Sequence, residues 1–179
     1  GQFFKVLRAN GSGRVIQNRL IFNPRYTVST FNHQQEIDYN PANGLPVVLR
    51  SPDTLGGDDD IQAGDGENIV IGGAGGDLIG TGLGGDTVLG DNGSIASDAS
   101  GTFKDLVLTT DLASGGNDTL TAGEGDNFVI GGCGLASLTA GDGNDVLPGD
   151  HASVDYNAGN GQIVEYLSTD SSNATGGDD

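Results

Sequence analysis

Residues 54–89 and 113–148 repeat every nine residues, and this period limits the possible folds more than any other property of the chain. The units read TLGGDDDIQ, AGDGENIVI, GGAGGDLIG and TGLGGDTVL, then ASGGNDTLT, AGEGDNFVI, GGCGLASLT and AGDGNDVLP. Position four is always glycine: Gly57, Gly66, Gly75, Gly84, Gly116, Gly125, Gly134 and Gly143. Position eight is always aliphatic: Ile61, Val70, Ile79, Val88, Leu120, Val129, Leu138 and Leu147. Position six carries Asp59, Asn68, Asp77, Asp86, Asp118, Asn127, Ala136 and Asp145.

Such a unit is a Gly-rich turn followed by a three-residue extended piece. Glycine permits the left-handed backbone of a tight turn. Side chains alternate along a strand, so a three-residue strand points only its central, aliphatic residue inward. Two units make one coil, with a strand on each side of a thin roll. Coils stack at strand spacing, roughly 4.8 Å, around a ladder of Ile, Val and Leu. The turns stack as well and line up the Asp and Asn of position six. Carboxylates that close are unfavourable without a cation between them.

Charge leads to the same expectation. The chain carries 25 Asp plus Glu against 7 Lys plus Arg, a formal net charge of −18. Lys5, Arg8, Arg14, Arg19 and Arg25 precede every acid, while Arg50 and Lys104 are the only later cations. A compact acidic body repels itself, and with few aromatics it leans towards disorder unless cations bind. The basic end could be a β-rich leader or could dock on an acidic surface. Bulk charge of this sign excludes phosphate-backbone binding, so no nucleic acid is expected as a partner. One Cys cannot form an internal disulfide or a thiolate zinc cage. No apolar run reaches the ~18 residues of a transmembrane helix. Helix is disfavoured by 33 Gly among 179 residues.

The units resemble the RTX (repeats-in-toxin) nonapeptide, G-G-x-G-x-D-x-U-x, a known calcium-binding β-helix pattern. The resemblance covers 54–89 and 113–148. It implies an all-β fold, a parallel β-roll or β-solenoid, with several Ca2+ ions held between stacked turns. Calcium takes 6–8 oxygens in flexible geometry, and in the family position six supplies the carboxylates. Carried over by position, Asp59 shares an ion with Asp77, Asn68 with Asp86, and Asn127 with Asp145. Asp118 faces Ala136, where the family residue is missing. Asn keeps an oxygen but drops a charge, which weakens those sites.

A longer period of about 59 residues joins the two sets. AGDGENIVIGG (63–73) matches AGEGDNFVIGG (122–132), and LGDN (89–92) matches PGDH (148–151). Inserts at 93–114 and 152–175, with a relative at 36–55, each read as strand, turn, strand. They are protruding hairpins or enlarged coils; enlarged coils are favoured because the stack then need not stop and expose strand edges. The chain divides into a basic β-rich segment (1–35: cap, preceding module or assembly strand), an insert with the first block (36–92), an insert with the second block (93–151), and an insert opening a third (152–179). Thr175–Asp179 repeats the opening of a set, with Asp179 as its metal residue. A set that stops inside its turn suggests a longer repeat chain or head-to-tail self-assembly.

Other residues carry less. Cys133 lies in a turn with no base at a fixed spacing. His33, Asn92 and His151 stand 59 residues apart and suggest a polar loop contact. Tyr39 and Tyr156 share a DYN context and should pack in equivalent inserts. GGAGGD lacks the Lys-Ser/Thr of a phosphate loop. The expected function is non-enzymatic: a calcium-dependent structural module of a secreted or cell-surface adhesin or fibre, folding as calcium binds. The alternative is the RTX portion of a secreted protease, lipase or polysaccharide-modifying enzyme. A third option, ice or glycan binding, would need a sustained outward Thr array.

Overall fold

The structure, a computed structural model, describes residues 20–21, 26–30, 36–39, 46–51, 56–99, 104–157 and 159–169. These form fifteen strands in three sheets and no helix. Two of the sheets are short and essentially parallel, and the third is antiparallel.

The nonapeptides supply both parallel sheets, in alternation. The outer sheet holds β5 (Asp60–Gly64), β7 (Leu78–Thr81), β11 (Thr119–Thr121) and β13 (Ser137–Thr139). The middle sheet holds β6 (Glu67–Ile71), β8 (Thr87–Leu89) and β12 (Phe128–Ile130). Position eight runs in register across each sheet. Ile61 pairs with Ile79, Ile79 with Leu120 and Leu120 with Leu138 in one; Val70 pairs with Val88 and Val88 with Val129 in the other. Residues from both sheets meet in a single core of Ile61, Val70, Ile79, Val88, Leu120 and Val129.

That ladder was expected, but it is not the whole core. In the outer sheet, TLT of β11 alternates exposed, buried, exposed. In the middle sheet, FVI of β12 is buried at every residue. Its positions seven and nine turn to a second core with Leu49, Ile71, Leu89, Ile95, Val107, Phe128, Ile130, Val154 and Tyr156. A sheet covered on both faces needs apolar residues in unbroken runs, which is what IVI of β6 and FVI of β12 provide. Leu147 departs in the other direction: it holds position eight yet is 36% exposed.

The antiparallel sheet covers that second core and is built from the inserts. Its hairpins are β3 (Glu36–Tyr39) with β4 (Pro46–Arg50), β9 (Gly93–Ser97) with β10 (Lys104–Thr109), and β14 (Ala152–Tyr156) with β15 (Ile163–Ser168). The hairpins join through β4 on β9 and β10 on β14. The preference for enlarged coils is therefore corrected: the inserts are hairpins. The reason for that preference still holds, because the stack does not restart. β7 pairs directly with β11 and β8 with β12, so the 93–114 insert loops out while the parallel ladders continue past it.

At the other end β1 (Leu20–Ile21) pairs antiparallel with β2 (Tyr26–Thr30), and β2 adds parallel to β6. Lys5, Arg8, Arg14, Arg19 and Arg25 lie outside the described residues, as do His33 and Asp179.

Candidate functional site

The turns between the strands stack into two columns with different chemistry. One precedes the outer sheet and carries Asp59, Asp77, Asp118 and Ala136 at position six. The other precedes the middle sheet and carries Asn68, Asp86, Asn127 and Asp145.

Close stacking explains the glycines. Gly75 has φ 131°, and a Cβ there would stand 2.6 Å from the carbonyl carbon of Gly57. A Cβ on Gly116 would stand 2.3 Å from the Gly75 oxygen. Neither turn can accept a side chain without separating the coils.

In both columns, position six reaches back to the preceding coil. The backbone N–H of Asp59 donates to Asp77 Oδ1 at 2.9 Å, that of Asn68 to Asp86 Oδ1 at 2.8 Å, and that of Asn127 to Asp145 Oδ1 at 3.0 Å. The three pairs drawn from the 18-residue spacing are thus brought together. Two more pairs span the insert. Asp77 N–H donates to Asp118 Oδ1 at 2.8 Å, and Asp86 N–H to Asn127 Oδ1 at 3.0 Å, each across 41 residues. Asp118, whose expected neighbour was Ala136, therefore has a carboxylate neighbour on its other side. Position five forms a ladder in the opposite direction: Asp58 accepts from Gly76 N–H at 2.9 Å, and Asp126 from Asn144 N–H at 2.9 Å. The nonapeptide pattern treats position five as free, so this role was not foreseen.

The Asp column is short of hydrogen-bond donors. Asp77 and Asp118 are buried, and Oδ2 of each has no hydrogen-bond partner. Burial pushes the carboxyls of Asp77 and Asp118 up to about 8; Asp118, Asp59 and Asp58 add repulsion at Asp77, and Asp91 and Asp58 add it at Asp118. The Oδ2 atoms face main-chain oxygens across glycines. A Cβ on Gly72 would meet Gly90 O at 2.2 Å and Asp77 Oδ2 at 2.3 Å; one on Gly90 would meet Asp118 Oδ2 at 2.2 Å and Gly131 O at 2.6 Å.

Asp91 is a further member that the nonapeptide reading missed. It is buried, accepts from Gly116 N–H at 3.1 Å, and accepts a short hydrogen bond from Cys133 N–H. Burial again raises its carboxyl, to about 7, with Asp77 adding repulsion. Its signal was the LGDN/PGDH match, which places an acid just after each set. Asn92 beside it accepts from Ser51 Oγ at 2.7 Å, whereas His151, where a polar contact was also expected, is buried with neither ring nitrogen hydrogen-bonded.

The described residues contain no cage of three or more His, Cys, Asp or Glu side chains. The groups that converge are carboxylate and carbonyl oxygens, anionic and lacking donors. That donor chemistry suits a hard divalent cation, which binds carboxylates and backbone carbonyls together.

The Asn column is only partly relieved of that deficit: its amides supply donors to the same kinds of oxygen, yet Oδ2 of Asp86 is also buried without a hydrogen-bond partner, and burial raises the Asp86 carboxyl as well. Lys104, the first residue of β10, reaches from the hairpin sheet to β8 of the middle sheet. Its Nζ donates a short hydrogen bond to Thr87 Oγ1 and sits 5.7 Å from the Tyr156 ring centre. Burial lowers its pKa, while Glu67 and Asp86 oppose that shift. Tyr156 packs edge-on against Phe128 at 6.4 Å, so it packs from its insert onto the middle sheet and not, as expected, within the insert alone.

No protein-family model, curated protein or solved structure matches the chain.

Proposed function

We propose that the chain is a calcium-binding structural module of a secreted or cell-surface repeat protein, of adhesin or fibre type, wound as an RTX-like parallel β-roll. One observation carries this reading: Asp77 and Asp118 are stacked and buried with their Oδ2 atoms unpartnered. Ionised and bare, such a pair opposes folding; bridged by a divalent cation, it holds the coils together. Asp59, Asp77, Asp91 and Asp118, with neighbouring turn carbonyls, are the residues that would hold the ions.

The roll is supported by the 18-residue steps within each parallel sheet and by the core that both sheets share. Calcium supplies counter-charge to carboxylates that water does not reach. The chain's own residues set the register, through position-six and position-five hydrogen bonds to neighbouring coils. Extracellular calcium modules work at roughly 10⁻⁴–10⁻³ M. The chain would stay loose at cytosolic calcium and set outside the cell. An ion present at ten times its Kd stabilises the folded state by about 1.4 kcal/mol.

Self-association or a longer repeat fits the same picture. β15 repeats β10 by the 59-residue period, and β10 pairs onward with β14. Ile163, Val164, Tyr166 and Leu167 on β15 are exposed and could receive a further hairpin of the same kind.

The test is circular dichroism and thermal melting of the whole chain in calcium, in magnesium and in chelator. The reading expects a calcium-specific rise in β signal and melting temperature. A β spectrum and melting point indifferent to chelation would overturn it.

A further inference from the structure

In the Asn column, the place where three oxygens converge is filled by the protein itself. Asn68 Nδ2 lies 2.9 Å from Gly64 O, 2.9 Å from Gly66 O and 2.8 Å from Asp86 Oδ1. Asn127 Nδ2 repeats this with Gly123 O at 2.9 Å, Gly125 O at 2.9 Å and Asp145 Oδ1 at 2.9 Å. Two carbonyls of one turn and a carboxylate of the next coil form the oxygen set that a hard cation takes. Here an NH2 group occupies the centre and shares its two N–H bonds among the three acceptors.

The amide orientation at Asn127 is set independently, because its Oδ1 accepts the backbone N–H of Asp86 at 3.0 Å. Turning either amide over would aim a carbonyl oxygen at three other oxygens. Asn68 and Asn127 are both buried, so water cannot screen that repulsion.

We propose that Asn68 and Asn127 act as built-in cation surrogates, so that their own two turns lock without metal and calcium dependence is concentrated in the Asp59–Asp77–Asp118 column with Asp91. This departs from the family pattern, which makes position six a metal ligand in every turn. The departure has a physical reason: a donor covalently attached at the centre of the oxygen set fills the vacancy and leaves one carboxylate fewer in the turn, so that among the described carboxylates there only Asp86 keeps a buried, unpartnered oxygen, Oδ2. The assignment of metal to the Asp column rests on the calcium reading above; the metal-free lock does not.

Nuclear magnetic resonance of the full chain separates the two. In chelator, the side-chain NH2 signals of Asn68 and Asn127 should be dispersed and protected from solvent exchange. On calcium titration they should stay in place while the carboxyl carbons of Asp77 and Asp118 shift. Unprotected amides in chelator, or amide signals moving with the same calcium dependence as the Asp carboxyls, would overturn the surrogate role. Protected amides with no calcium response anywhere would leave the lock standing and overturn the calcium reading.

The Asn68→Asp/Asn127→Asp double variant gives a second readout. Each change replaces the central NH2 with a carboxylate oxygen. The melting point in chelator should fall by roughly 5–10 °C, and the variant should bind one more calcium ion per converted turn. An unchanged melting point in chelator with unchanged calcium stoichiometry would count against the proposal.

Discussion

The backbone N–H of Asp77 donates to Oδ1 of Asp118 at 2.8 Å, across 41 residues of chain. Within either repeat set the corresponding contact spans 18 residues, as between Asp59 and Asp77. The same position-six geometry is therefore kept while a whole hairpin, β9 with β10, leaves the stack between the two partners. The insert's cost in loop closure is small, since that entropy grows only slowly with length. The hairpin's buried side, including Ile95 and Val107, is packed over the middle sheet.

Position eight should not be equally sensitive throughout the repeat. Ile79 is 1% exposed in the shared core, whereas Leu147 is 36% exposed. Ile79→Ala should cost about 2–5 kcal/mol, and Leu147→Ala about 1 kcal/mol or less. Denaturant melts of the two variants in calcium make the comparison. Equal losses would mean that Leu147 is covered as fully as Ile79.

The calcium-free chain should become more stable as pH falls. The folded-state carboxyls of Asp77 and Asp118 are raised to about 8, and that of Asp91 to about 7, against about 3.9 unfolded. A raised folded pKa contributes stability that is complete below the unfolded value and is lost as pH climbs through the folded one. The window is therefore about pH 4 to 8. In chelator the melting temperature should be higher at pH 5 than at pH 8. Saturating calcium should weaken or reverse that slope, because metal binding requires deprotonated ligands. A chelated chain that gains stability between pH 5 and pH 8 would contradict these burial-driven shifts.

Asp91→Asn tests the residue that the nine-residue pattern does not contain. Each carboxylate oxygen of Asp91 accepts a different backbone N–H, from Gly116 and from Cys133. An amide can accept only one and turns its NH2 on the other. The loss should be about 1–3 kcal/mol, visible in chelator as well as in calcium. Asp126→Asn, at an exposed carboxylate, serves as the control with a much smaller change.

Lys104 should matter more for packing than for charge. Its Nζ lies over the Tyr156 ring while burial works against the ammonium. Lys104→Met keeps the stem volume and removes the desolvated charge, and should lose less than about 1 kcal/mol. Lys104→Ala removes the stem and should lose roughly 2–3 kcal/mol. If the two variants melt together, well below the parent, the charge and its bond to Thr87 dominate.

Local sequence determined the nine-residue unit, the glycine at each turn and the aliphatic ladder from Ile61 to Leu138, because each follows from backbone sterics and alternation within a few residues. It also carried the three 18-residue pairings, which follow from a period once a coil is assumed. The difference between FVI and TLT was visible too, although only the hairpin sheet over Phe128 and Ile130 gives it meaning. Tertiary structure alone decided that the insert leaves the stack, that Asp118 meets Asp77, that Asp91 joins them, and that the Asn68 amide points into the oxygens of its own turn. Those outcomes depend on which coil lies above and below a residue. Such neighbours lie 18 to 42 residues away in the chain but one strand spacing away in space, and no local pattern records them.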